Sequence, residues 1–209
     1  MKKILVFTII SAAVLLGNRS SAQYLLSGSK ADSTLPQIEF GIKLGANVQS
    51  ISGPEMWEQS YNPGIAGGIF VGMHKNKIGV RLEILASTSR YNARTLADSL
   101  GNKGDFRATY LNLPVLFEYC IIPKLLLQVG PQYSNMLSIK SVTAFSGDVK
   151  ALFNQSEFAG VIGFEGKLPK HISAGARYIY GFSDLNNQGI TNEKWSTSTI
   201  QVYAAYAIK

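Results

Sequence analysis

The sequence predicts an all-β fold, an eight-stranded antiparallel up-and-down transmembrane β-barrel. Three observations lead to this prediction: an export signal at the N-terminus, eight segments in which apolar residues recur at every second position, and connections between them that are alternately short and long. A two-residue period places successive side chains on opposite faces of a strand. Alternating short and long connections are typical of a membrane barrel whose turns lie at opposite ends.

The first residues have the organisation of a signal peptide. Lys2 and Lys3 precede an apolar run of thirteen residues, 4–16, and the small residues Ser20 and Ala22 form a cleavage site. Because a helix needs about 20 residues to cross a bilayer, we expect this run to be removed. The predicted organisation is a signal peptide at 1–22, a flexible periplasmic lead at 23–38 and an outer-membrane β-barrel domain at 39–209.

The first four alternating segments present an apolar face and a face of glycine, polar or charged residues. Their apolar positions are, in chain order, Phe40, Ile42, Leu44, Ala46 and Val48; Ile65, Ile69, Val71 and Met73; Ile78, Val80, Leu82 and Ile84; Leu111, Leu113, Val115, Phe117 and Tyr119. Residues 74–77 form a tight turn between the second and third segments. Strict alternation of this kind indicates strands with two different environments on their two sides.

The last four segments keep the same pattern. Their apolar positions are Leu125, Leu127, Val129 and Tyr133; Phe158, Ile162, Phe164 and Leu168; Ile172, Ala174, Ala176, Tyr178 and Tyr180; Ile200, Val202, Ala204, Tyr206 and Ile208. The long connections are predicted at about 52–62, 91–106, 138–155 and 182–194. Pro114 and Pro131 each lack an amide hydrogen for the ladder, so we expect a bulge or bend at each.

The second face of the strands carries only seven charged residues: Lys43, Arg81, Glu83, Glu118, Glu165, Lys167 and Arg177. A soluble barrel of the lipocalin type is the alternative, and it would turn this face to water, where many more Lys and Glu are normal. The bore of an eight-stranded barrel instead has room for small residues and a few paired ions. We expect a closed lumen in which adjacent strands pair Arg81 with Glu118 and Glu165 with Arg177.

The net charge of +7 falls to +4 without Lys2, Lys3 and Arg19 of the predicted signal peptide. This balance is too mild, and its basic residues too scattered, for a nucleic-acid partner. Cys120 is the single cysteine, so an internal disulfide is excluded and we expect a buried thiol.

Few residues suggest catalysis or cofactor binding. His74 and His171 lie beside predicted short turns, at the end opposite the outer rim where barrel enzymes place an acid, a His or a Ser. No arrangement of nucleophile, His and acid follows from these positions. We therefore expect no catalytic, metal or cofactor site, and a lipid-modifying barrel enzyme is the enzymatic alternative.

The long connections are where binding is expected, because loops on a rigid scaffold usually carry it. Trp57, Tyr61, Arg94 and Lys103 are the candidates there. Arg90 and Arg107 lie beside the second long connection, and basic groups at this level suit lipopolysaccharide phosphates.

Three stretches resemble the PorT-like outer-membrane β-barrel family of Bacteroidetes: 110–116 (YLNLPVL), 129–131 (VGP) and 177–182 (RYIYGF). The resemblance covers about residues 40–209 and implies an outer-membrane location and an eight-stranded barrel. Members share no single activity, although some are implicated in assembling a protein-secretion apparatus. The chain departs from such barrels at its end, where Ile208 and Lys209 replace the usual final aromatic residue.

These observations predict a non-enzymatic structural or assembly component of the cell envelope. The expected partners are outer-membrane lipid, lipopolysaccharide and other envelope proteins. The alternative is a surface-exposed binding or adhesion module that acts through its outer loops.

Overall fold

The computed structural model describes residues 36–52, 62–93, 104–141, 154–183 and 196–208. These ranges form eight strands: β1 (Gln37–Ser52), β2 (Asn62–Lys75), β3 (Ile78–Ala93), β4 (Gly104–Ile122), β5 (Leu125–Ser141), β6 (Ser156–Lys167), β7 (Ile172–Gly181) and β8 (Ser196–Ile208). Within them, no helix is long and apolar enough to cross a membrane. The predicted all-β class is confirmed.

The strands form a closed barrel in which each pairs with its neighbours in chain order and β8 returns to β1. All eight pairings are antiparallel. Closure leaves the sheet without a free edge, so backbone donors and acceptors are paired within the wall, as hydrocarbon surroundings require. The predicted up-and-down topology is therefore confirmed.

The barrel is apolar outside and polar inside. Leu44 and Ile65 on the outer surface are 71% and 66% exposed, whereas Lys43 and Arg81 in the bore are 4% and 0% exposed. An exterior of large apolar side chains is typical of a surface that faces lipid. This arrangement contradicts the soluble alternative, in which the polar face would meet water.

Short turns join the strands at one end of the barrel. Asn76, in the turn between β2 and β3, has a φ of 57°, and Lys170 and His171, between β6 and β7, have φ values of 62° and 60°. These left-handed conformations are those that tight turns between twisted antiparallel strands require. Pro123 and Lys124 form the third turn, between β4 and β5.

Three strands extend beyond their predicted ends. β3 continues to Ala93, β4 starts at Gly104 and β5 continues to Ser141, so the connections predicted at 91–106 and 138–155 begin inside strands. These extensions contain few large apolar residues, so the alternation that predicts a strand is lost there. The antiparallel ladder continues regardless, because its hydrogen bonds come from the backbone.

The prediction of a bulge or bend at Pro114 and Pro131 is wrong as far as the bulge is concerned, because neither proline shifts the strand register. Pro114 lies opposite Gln132, and the register shifts of the β4–β5 pair occur at Thr109/Tyr110 and Cys120/Ile122. The expectation of a buried thiol is also wrong. Cys120 is only partly buried, beside one of these shifts, and its Sγ lies 3.1 Å from the carbonyl oxygen of Ile122.

Candidate functional site

Charged side chains fill the bore in two tiers that are set by β3. Arg81 and Glu83 are consecutive on its inward face, with Arg81 nearer the short-turn end, and they are 0% and 2% exposed. We call Arg81 and its partners the lower tier, and Glu83 and its partners the upper tier.

In the upper tier, Glu83 pairs with two cations on other strands. Lys43 of β1 forms an ion pair with its Oε1, and Arg177 of β7 donates from Nη1 to its Oε2 at 2.8 Å. The ring of Tyr203 on β8 lies beside both cations, 3.9 Å from Lys43 Nζ and 5.6 Å from Arg177 Cζ to its centroid. These are cation–π distances, so each cation has a carboxylate and an aromatic face.

In the lower tier, one arginine of β3 contacts carboxylates on three other strands. Arg81 donates from Nη1 to Glu165 Oε2 on β6 at 2.6 Å and from Nη2 to Glu39 Oε1 on β1 at 3.2 Å. Its Nε lies 3.0 Å from Glu118 Oε1 on β4, an ion-pair contact without hydrogen-bond geometry. The guanidinium carbon also lies 4.6 Å from the ring centroid of Phe70 on β2.

Further polar side chains complete the lower tier and join it to the upper one. Gln128 donates from Nε2 to Glu118 at 2.7 Å and to Glu165 at 3.2 Å. The Tyr203 hydroxyl lies 2.8 Å from Gln128 Oε1 and 3.0 Å from Glu165 Oε2, and His74 Nε2 contacts the second oxygen of Glu118. Every strand of the barrel thus contributes at least one side chain.

We call this set the lumen network: Lys43, His74, Arg81, Glu83, Glu118, Gln128, Glu165, Arg177 and Tyr203. It contains three Lys or Arg cations and three carboxylates. At its rim, Lys167 Nζ lies 3.6 Å from Glu39 Oε2, and these side chains are 18% and 20% exposed. Buried ions are costly unless they are paired and hydrogen-bonded. Each ion of this set is paired and forms at least one hydrogen bond, while the Nε atoms of Arg81 and Arg177 are buried without a hydrogen-bond partner.

Two glycines provide the space for large side chains of the network. A Cβ atom at Gly79 would lie 2.3 Å from His74 Cδ2, and one at Gly175 would lie 2.5 Å from Tyr203 Cζ. Any larger residue at either position would have to displace the ring. The glycines on the inner face therefore determine where His74 and Tyr203 lie.

Towards the long-connection end, the bore widens into a small polar cavity. Its volume is about 30 Å³, enough for about two water molecules. Glu157 accepts a hydrogen bond there from Thr197, and Asn112 donates to Ser87 at 2.8 Å. The remaining lining is mainly amide and hydroxyl side chains, among them Asn47, Gln49, Gln132, Thr199 and Gln201.

The structure places six of the seven charged residues expected in the bore within the lumen network, and Lys167 at its rim. The expected contact between Arg81 and Glu118 is present. The expected pair of Glu165 with Arg177 is wrong, because Arg177 extends across the bore to Glu83 and Glu165 pairs with Arg81. Both expected pairs are diagonal neighbours on adjacent strands, so adjacency alone could not decide between partners.

Sequence reasoning missed three ionisable side chains of the bore, although the alternation contained the signal. Glu39 has the same inward parity as Lys43, His74 the same as Gly72, and Glu157 the same as Glu165. Extending the first, second and sixth strands by one residue would have placed all three in the bore. Glu39 also supplies the fourth carboxylate, which balances Lys167.

Several expectations lie outside the described residues. These are the loop candidates Trp57, Tyr61, Arg94 and Lys103, the signal peptide 1–22 and all but the last three residues of the lead 23–38. Within the described ranges, no group of three or more His, Cys, Asp or Glu side chains is arranged to hold a metal ion.

Comparison with known proteins gives one family and several solved structures that are similar to this chain. The profile of a family described as "Outer membrane protein beta-barrel domain" matches residues 22–187. Neisserial surface protein A (NspA) is similar in structure, with 14% identity over 80% of this chain and 96% of that chain, and a TM-score of 0.50. No curated protein matched the sequence.

Two further solved structures have lower TM-scores. Ail, the attachment invasion locus protein of Yersinia pestis, has 16% identity over 81% of this chain and 98% of that chain, with a TM-score of 0.45. OprG from Pseudomonas aeruginosa has 14% identity over 81% and 95%, with a TM-score of 0.45.

Proposed function

The chain belongs to the family of outer membrane protein beta-barrel domains, and from this premise we propose that it is a non-enzymatic structural or assembly component of the cell envelope whose bore is closed to ions. Its location is the outer membrane. Its proposed partners are outer-membrane lipid, lipopolysaccharide and other envelope proteins.

The observation that carries the proposal is the lumen network. Arg81 and Gln128 at its centre are 0% exposed, and their contacts reach strands on every side of the bore. An ion crossing here would have to separate buried charge pairs, each of which is costly to break. The same mutual satisfaction supports a non-enzymatic role, because these groups bind one another instead of lining an open cleft.

Planar-bilayer recording tests the closed bore. The full chain, purified from outer membranes and inserted into a bilayer, is expected to show no steady current. The control is a barrel of known open bore, inserted under the same conditions. Steady, ion-selective currents from the wild-type chain would overturn the proposal.

The assembly role is supported by the resemblance to PorT-like barrels, some of which are implicated in building a secretion apparatus. A pull-down from detergent-solubilised outer membranes is expected to recover other envelope proteins reproducibly. The adhesion alternative predicts instead that a surface ligand binds the isolated chain. That binding should survive removal of all partners and be lost when Trp57 and Tyr61 are replaced.

A further inference from the structure

Three basic residues form a row across adjacent strands near the long-connection end of the barrel. Arg90 of β3 lies opposite Arg107 of β4, and Arg107 lies opposite Lys140 of β5. All three side chains are exposed. Neighbouring strands are about 4.8 Å apart, so the three side chains originate within about 10 Å of one another.

A β-bulge places the third of these cations on the exterior. Along β5, the side chains of the even-numbered residues from Leu126 to Met136 face the bore. Gly130 has no side chain and is half-buried. The register shifts between Thr109 and Tyr110, so that Tyr110 pairs with Met136 but Thr109 pairs with Ser138. The extra residue reverses the facing of the strand beyond it, and Lys140 therefore points outward beside Arg107.

The row is unfavourable for the barrel by itself. Like charges directly opposite on neighbouring strands are destabilising, and the row contains two such pairs. No ion pair within the described ranges involves any of the three residues. A bound anion would offset this repulsion.

The height of the row fits the headgroup level of the membrane. Towards the short turns, the next outward row is formed by Thr88, Thr109 and Ser138, and beyond it lie Ala86, Leu111 and Asn135. Leu137, the extra residue of the bulge, is exposed between these two rows. Four residues of a tilted strand separate Arg90 from Ala86 and Arg107 from Leu111, a height of about 10 Å. Lipid phosphates lie at this boundary, and long basic side chains reach them readily.

The row occupies one sector of the barrel. Elsewhere on the exterior, β5 to β8 present hydroxyls: Tyr133 of β5 and Ser156 of β6 are 2.9 Å apart, and Tyr178 of β7 and Ser198 of β8 are 3.1 Å apart. Among the described exterior residues near the long-connection end, the cations are concentrated on β3, β4 and β5.

We propose that Arg90, Arg107 and Lys140 form a binding site for the phosphate group of a phosphorylated lipid in the outer leaflet. Two guanidinium groups bind phosphate oxygens in a bidentate manner, and the lysine adds a third charge. The acyl chains of the lipid would lie against Leu111 and Leu137 below the row. The site depends on the outer-membrane location and is independent of whether the bore is closed.

The test measures binding of diphosphoryl lipid A to the full chain in detergent by native mass spectrometry. The variant R90Q/R107Q/K140Q is expected to lose at least about tenfold in affinity, because each surface cation contributes separately to the attraction of anionic lipid. The matched control is K75Q/K77Q/K124Q, which removes three exposed cations at the short-turn end. It is expected to bind lipid A within about twofold of the wild type.

Folding is monitored separately by the shift in gel mobility on heating. Without lipid, the R90Q/R107Q/K140Q variant is expected to withstand heat at least as well as the wild type, since two like-charge pairs are gone. Lipid A freed of its phosphates is expected to bind the wild type weakly. Equal losses in both triple variants, or binding of inorganic phosphate as tight as that of lipid A, would overturn the proposal.

Discussion

Glu83 on β3 and Arg177 on β7 meet across the full width of the barrel, with 2.8 Å between Oε2 and Nη1. The two strands are diametrically opposite in the closed order of eight. Lys43 pairs with the other oxygen of the same carboxylate. Glu83 is therefore the single described carboxylate between two buried cations, and the upper tier depends on it.

Glu83→Gln is expected to lower the free energy of unfolding by about 3–5 kcal/mol, because it leaves two buried cations without their counter-ion. Urea titration of the barrel in lipid vesicles measures this change. The matched control is Glu39→Gln at the rim, whose side chain is 20% exposed and whose loss should cost about 1 kcal/mol or less. Adding Lys43→Met to Glu83→Gln should recover part of the stability, and equal costs for Glu83 and Glu39 would contradict the assignment.

Gly175→Ala is expected to destabilise the barrel by about 1–3 kcal/mol, the usual cost of overpacking. The new Cβ would lie 2.5 Å from the Tyr203 ring and 2.6 Å from the carbonyl oxygen of Phe164, and it would displace the tyrosine hydroxyl from Gln128 and Glu165. Gly166→Ala on β6 is the control, since its Cβ would have its nearest contact at an ordinary 3.7 Å. The same urea titration compares them, and a Gly175 variant as stable as the Gly166 variant would show that Tyr203 can move without cost.

Val129→Arg tests the lipid-facing exterior. Val129 is 48% exposed on the outer face of β5, and an arginine near the midplane costs about 2–4 kcal/mol. Ile122→Arg is the control at a different depth, because Ile122 also faces outward but ends β4 beside the short turn, where the cost falls to about 0–1 kcal/mol. Similar costs at both positions would mean that the membrane does not surround β5 as assigned.

The alternation of apolar residues was sufficient to predict the strands and their facing, because lipid on one side and a narrow bore on the other impose opposite demands at every second residue. Ile42 and Lys43 illustrate this, with exposures of 53% and 4%. The signal disappears where few large apolar residues distinguish the two faces of a strand. This is why the outer ends of β3, β4 and β5 were predicted as loops.

Partner choice inside the bore could not be predicted from the sequence. Parity identifies Glu165 and Arg177 as inward neighbours, but a long side chain can reach the opposite wall, and Arg177 does so. The facing of Lys140 was equally hidden, because it depends on one extra residue in β5. The partner of Arg177 and the facing of Lys140 both depend on the closed barrel and its register. Local sequence patterns carry no information about either.

The two tiers lead to a last prediction, that the lower tier is sufficient to close the bore when the upper tier is removed. Tyr203 is common to both tiers, but the lower tier has its own cross-bore contact, from Arg81 on β3 to Glu165 on β6, and Gln128 on β5 adds a bond to its neighbour Glu118 on β4. Replacing the whole upper tier, as K43S/E83S/R177S, removes its charges together and avoids leaving either cation alone. The variant should fold, which the gel shift on heating checks.

In planar bilayers, K43S/E83S/R177S is expected to pass no steady current, because Arg81 and Gln128 remain fully buried across the bore. Adding R81S and E165S removes the charge pair at the centre of the lower tier, and currents should then appear. If the upper-tier variant already conducts, the bond between Arg177 and Glu83 is the true barrier and Arg81 only stabilises the wall. If the fivefold variant is folded and still silent, Tyr203, Gln128 and the glycine-lined wall close the bore by size, and the ion pairs contribute stability alone.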